Sequence, residues 1–323
     1  MTVRARRVLP WLALALAIGA AVVLVAARGE DVRTLAALRP SFVIALLAMQ
    51  VLYLIVQSAR FHVVLVRFAE HPVGFWPWTR MFVIGRFLNL FVPQAGNVYR
   101  AVELRRRFDV TVQSFLVAFV NAPWLAMILN FLFGAAFVGL LAPTATVAGW
   151  PLWILLLGAT LATSLAPLVA LSVLPLFPER WRWTAWLRAR LGEMVRVTLR
   201  SVREPRYLAR VSWWTLLAFV QASAMLWIGF VALGIPVGIA EAIAFYVLLQ
   251  LATYVQLTPG NLGLQELAFA ALSAGFGATV ADGILVSTIV RITGVISLVV
   301  AALPFGGLEA LRLARADRRP AAG

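Results

Sequence analysis

The sequence predicts an all-α fold, a polytopic integral membrane helical bundle, and three observations lead there. The chain has 323 residues, 63% hydrophobic and only 13% charged, whereas a soluble domain carries roughly 45–50% apolar and about 25% charged residues. Its apolar residues gather into runs close to the roughly 20 residues that cross a hydrocarbon core about 30 Å thick. Between those runs the charge is dominated by arginine, all 28 basic residues being Arg with no Lys. A core that could stay out of water cannot be built from so much apolar surface, so the excess faces lipid.

The formal charge of +15 would suggest nucleic acid in a soluble protein. Here the arginines flank apolar spans, where they set topology and meet anionic headgroups, so no nucleic-acid partner is expected. Cysteine is absent, which excludes disulfides, thiol catalysis and zinc held by thiolates. Without lysine there is no phosphate-binding loop of the Gly-x-x-x-x-Gly-Lys type, so direct ATP hydrolysis is not expected. No cofactor and no metal are expected.

Taken in order, the first span covers 8–27, after Arg4, Arg6 and Arg7. It is longer than the apolar core of a signal peptide and many spans follow, so it reads as a retained helix. The second covers 42–66. A broken stretch then runs 82–92, meets Pro93 and turns polar at Gln94-Ala95-Gly96-Asn97. Full spans return at 114–141, 152–177 and 212–233. A second broken stretch runs 242–257, meets Pro259-Gly260-Asn261 and resumes over 264–275. The last span covers 283–303. The expected total is about six full spans and two broken helices, each half of a broken helix being short for a crossing.

Arginine-rich segments belong on the cytoplasmic side: the amino terminus, 60–80, 100–107, 179–210 and 312–319. The segments 29–40, 142–150 and 234–240 carry few or balanced charges and belong outside. Six crossings fit this pattern when both broken helices are re-entrant, the first from inside and the second from outside, with both termini cytoplasmic. That is an inverted-repeat architecture, with pseudo-repeat halves of about 1–141 and 150–305 in a single transmembrane domain, 1–323. Within 179–210, Trp183, Trp186, Leu187, Leu191, Met194, Val195 and Val202 recur at helical spacing among arginines, as in an amphipathic interfacial helix. Residues 306–323 form a basic cytoplasmic tail. The expected location is the cytoplasmic (inner) membrane.

A helix broken inside lipid exposes N–H and C=O groups that only protein or trapped water can satisfy, so the two breaks point to a ligand site. Pro93, Gly96, Pro259, Gly260 and Gly263 shape the backbone there, glycine allowing close approach or positive φ. Asn97 both donates and accepts, and Arg100 offers a planar fork suited to phosphate. Glu103 is read as pairing with Arg107 one turn on, and Arg86 as snorkelling to the cytoplasmic interface. At the second break the half-helix holding Gln265 and Glu266 aims its positive dipole end at an anion. Glu266 and mid-span Arg291 are each costly alone in lipid. They are expected to face the bundle interior, paired with one another or with a polar ligand.

These residues also carry a family resemblance. Pro93-Gln94-Ala95-Gly96-Asn97-Val98-Tyr99-Arg100 resembles a Pro-x-x-Gly-Glu-x-x-Arg element, with Asn97 in the place of the Glu. Pro259-Gly260-Asn261-Leu262-Gly263-Leu264-Gln265-Glu266 resembles a Pro-Gly-x-x-Gly-x-x-Glu element, and Val290-Arg291-Ile292-Thr293 resembles a recurring arginine of the last span. The elements are those of the flippase-like transmembrane region of lysylphosphatidylglycerol synthases, and the likeness extends over almost the whole chain. The full synthases add a soluble aminoacyl-transfer domain, for which this sequence has no room.

The resemblance implies a membrane protein that translocates or shelters the headgroup of an anionic phospholipid or a polyprenyl-phosphate lipid. Arg100 and Arg291, with Asn97 and Gln265, would meet the headgroup, and Glu266 would be the counter-charge or proton-linked group. If the family Glu carries protons, Asn97 cannot. A transporter-like role without catalysis is expected. The alternatives are a polyprenyl-lipid-dependent glycosyltransferase, using Glu30-Asp31 beside the first span, and a non-catalytic accessory subunit of a lipid or glycan pathway. The sequence leaves room for a homo-oligomer.

Overall fold

The structure, a computed structural model, describes residues 38–90, 94–147, 149–173, 203–254 and 264–307, with 192, 195–196 and 198–199. These residues form nine α-helices: α1 Pro40–Phe68, α2 Phe75–Asn89, α3 Ala95–Phe108, α4 Val112–Leu141, α5 Leu152–Val173, α6 Pro205–Ala232, α7 Ile239–Tyr254, α8 Leu264–Gly275 and α9 Val280–Ala302. A π-helical turn, Leu303–Gly307, ends the described chain. Two two-residue strands, β1 Thr146–Val147 and β2 Trp150–Pro151, pair antiparallel between α4 and α5.

Five helices are long and apolar enough to cross a membrane: Pro40–Phe68, Val112–Leu141, Leu152–Val169, Pro205–Ala232 and Val280–Phe305. They match five of the six spans expected from sequence. The sixth, 8–27, lies outside the described residues, as do most of 179–210 and nearly all of the tail 306–323. Helices α4 and α9 start earlier than their apolar runs do, because polar residues cap them. Thr111 accepts a hydrogen bond from the Ser114 N–H at 3.2 Å, so α4 begins at Val112. Thr279 and Asp282 form a reciprocal capping box that begins α9 at Val280. Pro40 and Pro205 open α1 and α6, where a missing N–H is harmless and φ is pre-set.

The chain divides into two compact units: 1–58 with 74–103 and 221–323, and 59–73 with 104–220. In the first unit the helices are joined by side chains that donate to backbone carbonyls. Gln50 donates to Val290 O at 3.0 Å, Gln221 to Met49 O at 2.8 Å and Ser297 to Leu47 O at 3.2 Å. Lipid tails are as apolar as leucine, so such bonds and close packing, more than hydrophobicity, hold helices together in a bilayer. Trp78 Nε1 donates to Ser58 O at 3.0 Å, tying α2 to α1. Leu54, Val83 and Leu298 pack α1, α2 and α9 together, with Phe87, Leu90 and Phe305 against them. Phe245 of α7 lies 5.3 Å from Phe230 and 5.1 Å from Phe269 by ring centroids. α8 and α9 approach until a Cβ at Gly283 would overlap the Phe269 carbonyl.

In the second unit α4 and α5 form a long hairpin. Trp124 Nε1 donates to Thr163 O at 3.1 Å, and Leu132, Ala135, Gly139, Trp153 and Leu157 line an apolar cleft between the two helices. Phe219 sits beside Phe133 and Phe137, at 6.0 and 5.8 Å. In the last turn of α1, Arg67 pairs with Glu204 at 3.2 Å. Glu70 accepts from the hydroxyls of Thr111 at 2.9 Å and Ser114 at 2.7 Å.

Candidate functional site

The first break is a helical hairpin whose two arms touch through glycine. Its outgoing arm is α2, which ends at Asn89, and its returning arm is α3, which starts at Ala95. Gln94, just before α3, has φ of 65°, a left-handed conformation unusual for a side chain other than Gly, Asn or Asp. There its carbonyl accepts from the N–H groups of Asn97 at 3.0 Å and Val98 at 3.1 Å. Asn89 Oδ1 accepts from the Gly96 N–H at 2.7 Å. Two helix-start donors that lipid would leave unsatisfied are thus met by Gln94, and a third by a side chain seven residues away.

Gly96 is buried, and a Cβ on it would overlap the Gly85 carbonyl. A Cβ on Gly85 would in turn lie 2.8 Å from Arg100 Nε and 2.9 Å from Gly96 O. The contact between α2 and α3 is therefore backbone against backbone, and the Arg100 guanidinium lies in the space that Gly85 leaves. Arg100 is only 5% exposed. Its Nε donates to Gly96 O at 3.1 Å, and its Nη2 donates to the Asn97 side-chain oxygen. Asn97 in turn donates from Nδ2 to the Gln94 side-chain oxygen. The guanidinium carbon stands 5.4 Å from the Phe82 ring centroid, and that of Arg86 stands 5.7 Å from the same centroid.

At the second break, Gln265 in the first turn of α8 accepts from Arg291 Nη2 of α9 at 3.3 Å. The helix that restarts after the break is thus linked to the arginine of the last span. Pro93, Pro259, Gly260 and Gly263 lie outside the described residues. Glu266 is in the first turn of α8, but its side chain lies outside what the structure describes.

The structure therefore brings together Gly96, Asn97 and Arg100 in one cluster, and Gln265 and Arg291 in another. Both clusters belong to the same compact unit, on helices tied by the contact of α2 with α9. Four residues of the first cluster were not singled out as site residues from sequence: Phe82, Gly85, Arg86 and Asn89. All four fall on one face of α2, at spacings of three, four and seven from Phe82. That spacing, opposite a proline-glycine break, is the signal that points to them.

A family model described as the lysylphosphatidylglycerol synthase transmembrane region matches residues 12–302. No curated protein and no solved structure matches the chain. The match takes in both breaks and the arginine of the last span, and with the apolar helices it makes the chain a multi-pass membrane protein that belongs to the lysylphosphatidylglycerol synthase transmembrane-region family.

Proposed function

We propose that this protein is a flippase-like membrane protein that binds, and passes across the bilayer, the phosphate-bearing headgroup of an anionic lipid. The ligand would be an anionic phospholipid or a polyprenyl-phosphate lipid. The observation that carries the reading is Arg100, a cation 5% exposed at a helix break and held by that break's own backbone and amide groups. An ionisable residue inside a membrane is costly and is by default a candidate for a path taken by ions or polar groups. Membership in a lipid-related family supports the same reading.

The physical task follows from the bilayer. A charged headgroup cannot cross hydrocarbon unaided, so the protein supplies polar groups along a short path while the acyl or isoprenoid tails stay in lipid. Arg100 with Asn97 meets phosphate oxygens at the first break, and Arg291 with Gln265 does so at the second. Glu266 supplies a counter-charge. None of these steps makes or breaks a covalent bond, so the proposed role is transport rather than catalysis. The proposed arrangement places both termini in the cytoplasm and makes the two broken helices re-entrant.

Purification in native-like lipid followed by identification of co-purifying lipids tests the reading. Phosphate-bearing anionic lipids should be enriched over the bulk membrane, and Arg100→Gln and Arg291→Met should each reduce that enrichment. Equal lipid profiles for parent and both variants would count against the headgroup role. The absence of native cysteine makes the topology directly testable. Single cysteines at Arg105, Gly192 and Ala321 should be shielded from an impermeant external thiol reagent, and one at Thr146 should be labelled. Labelling at Gly192 from outside would reverse the orientation.

A further inference from the structure

We propose that the cleft at the turn end of the α4–α5 hairpin seats one acyl chain of a resident membrane phospholipid, and that it selects the chain and not the headgroup. The inference is independent of the headgroup reading above, because α4 and α5 belong to the compact unit that does not contain Arg100.

The cleft has a volume of about 410 Å³ and lies where α4 turns to small residues. Ala135, Ala136 and Gly139 contribute nothing longer than a methyl, and Leu132, Trp153 and Leu157 line the cleft with them. Small residues in a membrane helix usually serve close packing, as at Gly96 and Gly283, where a Cβ would overlap backbone. Gly139 differs. A Cβ there would only touch Trp153, at 3.6 Å, so this stretch leaves space that the partner helix does not fill.

What fills the space follows from where it lies. Leu132 is 41% exposed and Leu157 is 42% exposed, so the cleft opens on the outer face of two helices able to span a membrane. It is continuous with the apolar surface that α5 shows at Leu155, Leu161 and Leu165. Around such a surface the solvent is hydrocarbon. An empty cleft would forfeit dispersion contacts on every lining atom, and acyl chains are present at solvent concentration to supply them. A second copy of the chain fits poorly, since seven residues line the cleft, against roughly 20–30 a side in a stable protein interface.

The turn end of the hairpin sets what is selected. Residues 142–151 include no Arg, Lys, Asp or Glu, so the connection offers no charge to read a headgroup. Trp153 stands at the same end, and its Nε1 donates to no described residue. An indole has an apolar body and a polar tip. The acceptor that every diacyl phospholipid offers beside its chains is an ester carbonyl, which an isoprenoid phosphate lacks.

The test uses the full chain in phosphatidylcholine nanodiscs holding a small fraction of phospholipid with a diazirine in its acyl chain. The labelled lipid carries either a phosphatidylcholine or a phosphatidylglycerol headgroup, and labelled residues are mapped by mass spectrometry after illumination. Labelling per residue at 132–139 and 153–157 should exceed that at the lipid-facing 161–169 by about fivefold, a modest factor because the gain is dispersion and not charge. It should be equal for the two headgroups. Ala136 is exposed, so Ala136→Phe puts a ring in the cleft without entering the core, and should bring labelling there down to that of 161–169. Leu140→Phe, at a residue 79% exposed and outside the cleft lining, should leave the pattern as it is. Should Ala136→Phe fail to fold, Ala136→Leu takes its place and the parent's own pattern still decides.

Even labelling along both helices of the parent overturns the proposal, and so does a cleft signal that survives in the filled variant. A cleft labelled only by phosphatidylglycerol would be a headgroup site. Stronger labelling by a photoreactive polyprenyl phosphate than by either phospholipid would give the cleft to an isoprenoid chain. A cleft protected from lipid in a parent that cross-links to itself would belong to a second copy. Each of these results removes the acyl-chain assignment and leaves the reading of Arg100 untouched.

Discussion

Two helices in this chain begin in opposite ways, and the contrast shows where tolerance ends. Helix α4 begins in the manner of a surface helix. Thr111 caps it and Glu70 accepts from the Thr111 and Ser114 hydroxyls, all at exposed positions. Helix α3 begins at a break inside an apolar stretch. Its first donors are met by Gln94 in a positive-φ conformation and by Asn89 across the hairpin, and its second residue, Gly96, touches the backbone of α2. Water backs up every contact at the first start. At the second, the partners are packed inside the hairpin with no room at Gly96, and the buried Arg100 is part of the same knot.

The largest expected effect is therefore at Gly96. Alanine is the better helix former by about 1 kcal/mol, so propensity alone says that Gly96→Ala stabilises. The methyl would overlap the Gly85 carbonyl, and backbone cannot rotate away as a side chain can. We expect a net loss of about 3 kcal/mol, seen as a lower melting temperature in detergent. The same change at Gly192, where no described residue lies within 4 Å of the added Cβ, serves as the control. A Gly96→Ala protein that melts at or above the parent would erase the difference between the two helix starts.

Asn89 sharpens the comparison at intermediate size. Its Oδ1 is the acceptor for the Gly96 N–H at 2.7 Å, and Asn89→Ala leaves that buried donor without it. The expected cost is about 1–2 kcal/mol. Because Arg100 also leans on Gly96, through its carbonyl at 3.1 Å, lipid binding should weaken together with stability. Loss of stability with unaltered lipid binding would separate the helix start from the arginine and weaken the claim that they form one unit.

How much of this was readable in advance follows from the same physics. The five described spans were legible because an unbroken apolar run of span length has few uses outside a membrane. The first break was legible because Pro93 and Gly96 interrupt such a run, and Arg100 because a fork-bearing cation stood beside it. Gly85 was not, because a glycine inside an apolar helix carries no mark of what crosses it. Arg86 is read as snorkelling to the interface, and the approach of its guanidinium to Phe82 was not legible, because a lone arginine near a helix end shows nothing of the ring beside it. The part played by Gln94 was not legible, since its positive φ belongs to the turn and not to the residue type. The capping pair Thr279 and Asp282 follows a known spacing, but it precedes the apolar run that marks the span.

The smallest expected effect belongs to Glu70, at the tolerant start. Partial burial pushes its carboxyl up, but hydrogen bonds from Ser114, from its own backbone and from Thr111 together pull it below its ordinary value. A carboxyl lowered on folding contributes stability above its unfolded value, and that contribution is lost as pH falls through the folded one. Glu70→Gln keeps the shape and much of the hydrogen bonding but removes the charge. At neutral pH the variant should melt slightly below the parent, by an amount worth well under about 1 kcal/mol, because solvent screens so exposed a group. The gap should narrow once pH drops below 4.5, as the parent carboxyl takes up its proton and comes to resemble the amide. Melting temperatures of both proteins across that range decide it. A gap that stays constant on acidification, or one as large as that of Asn89→Ala, would mean that the α4 start is no more tolerant than the α3 start.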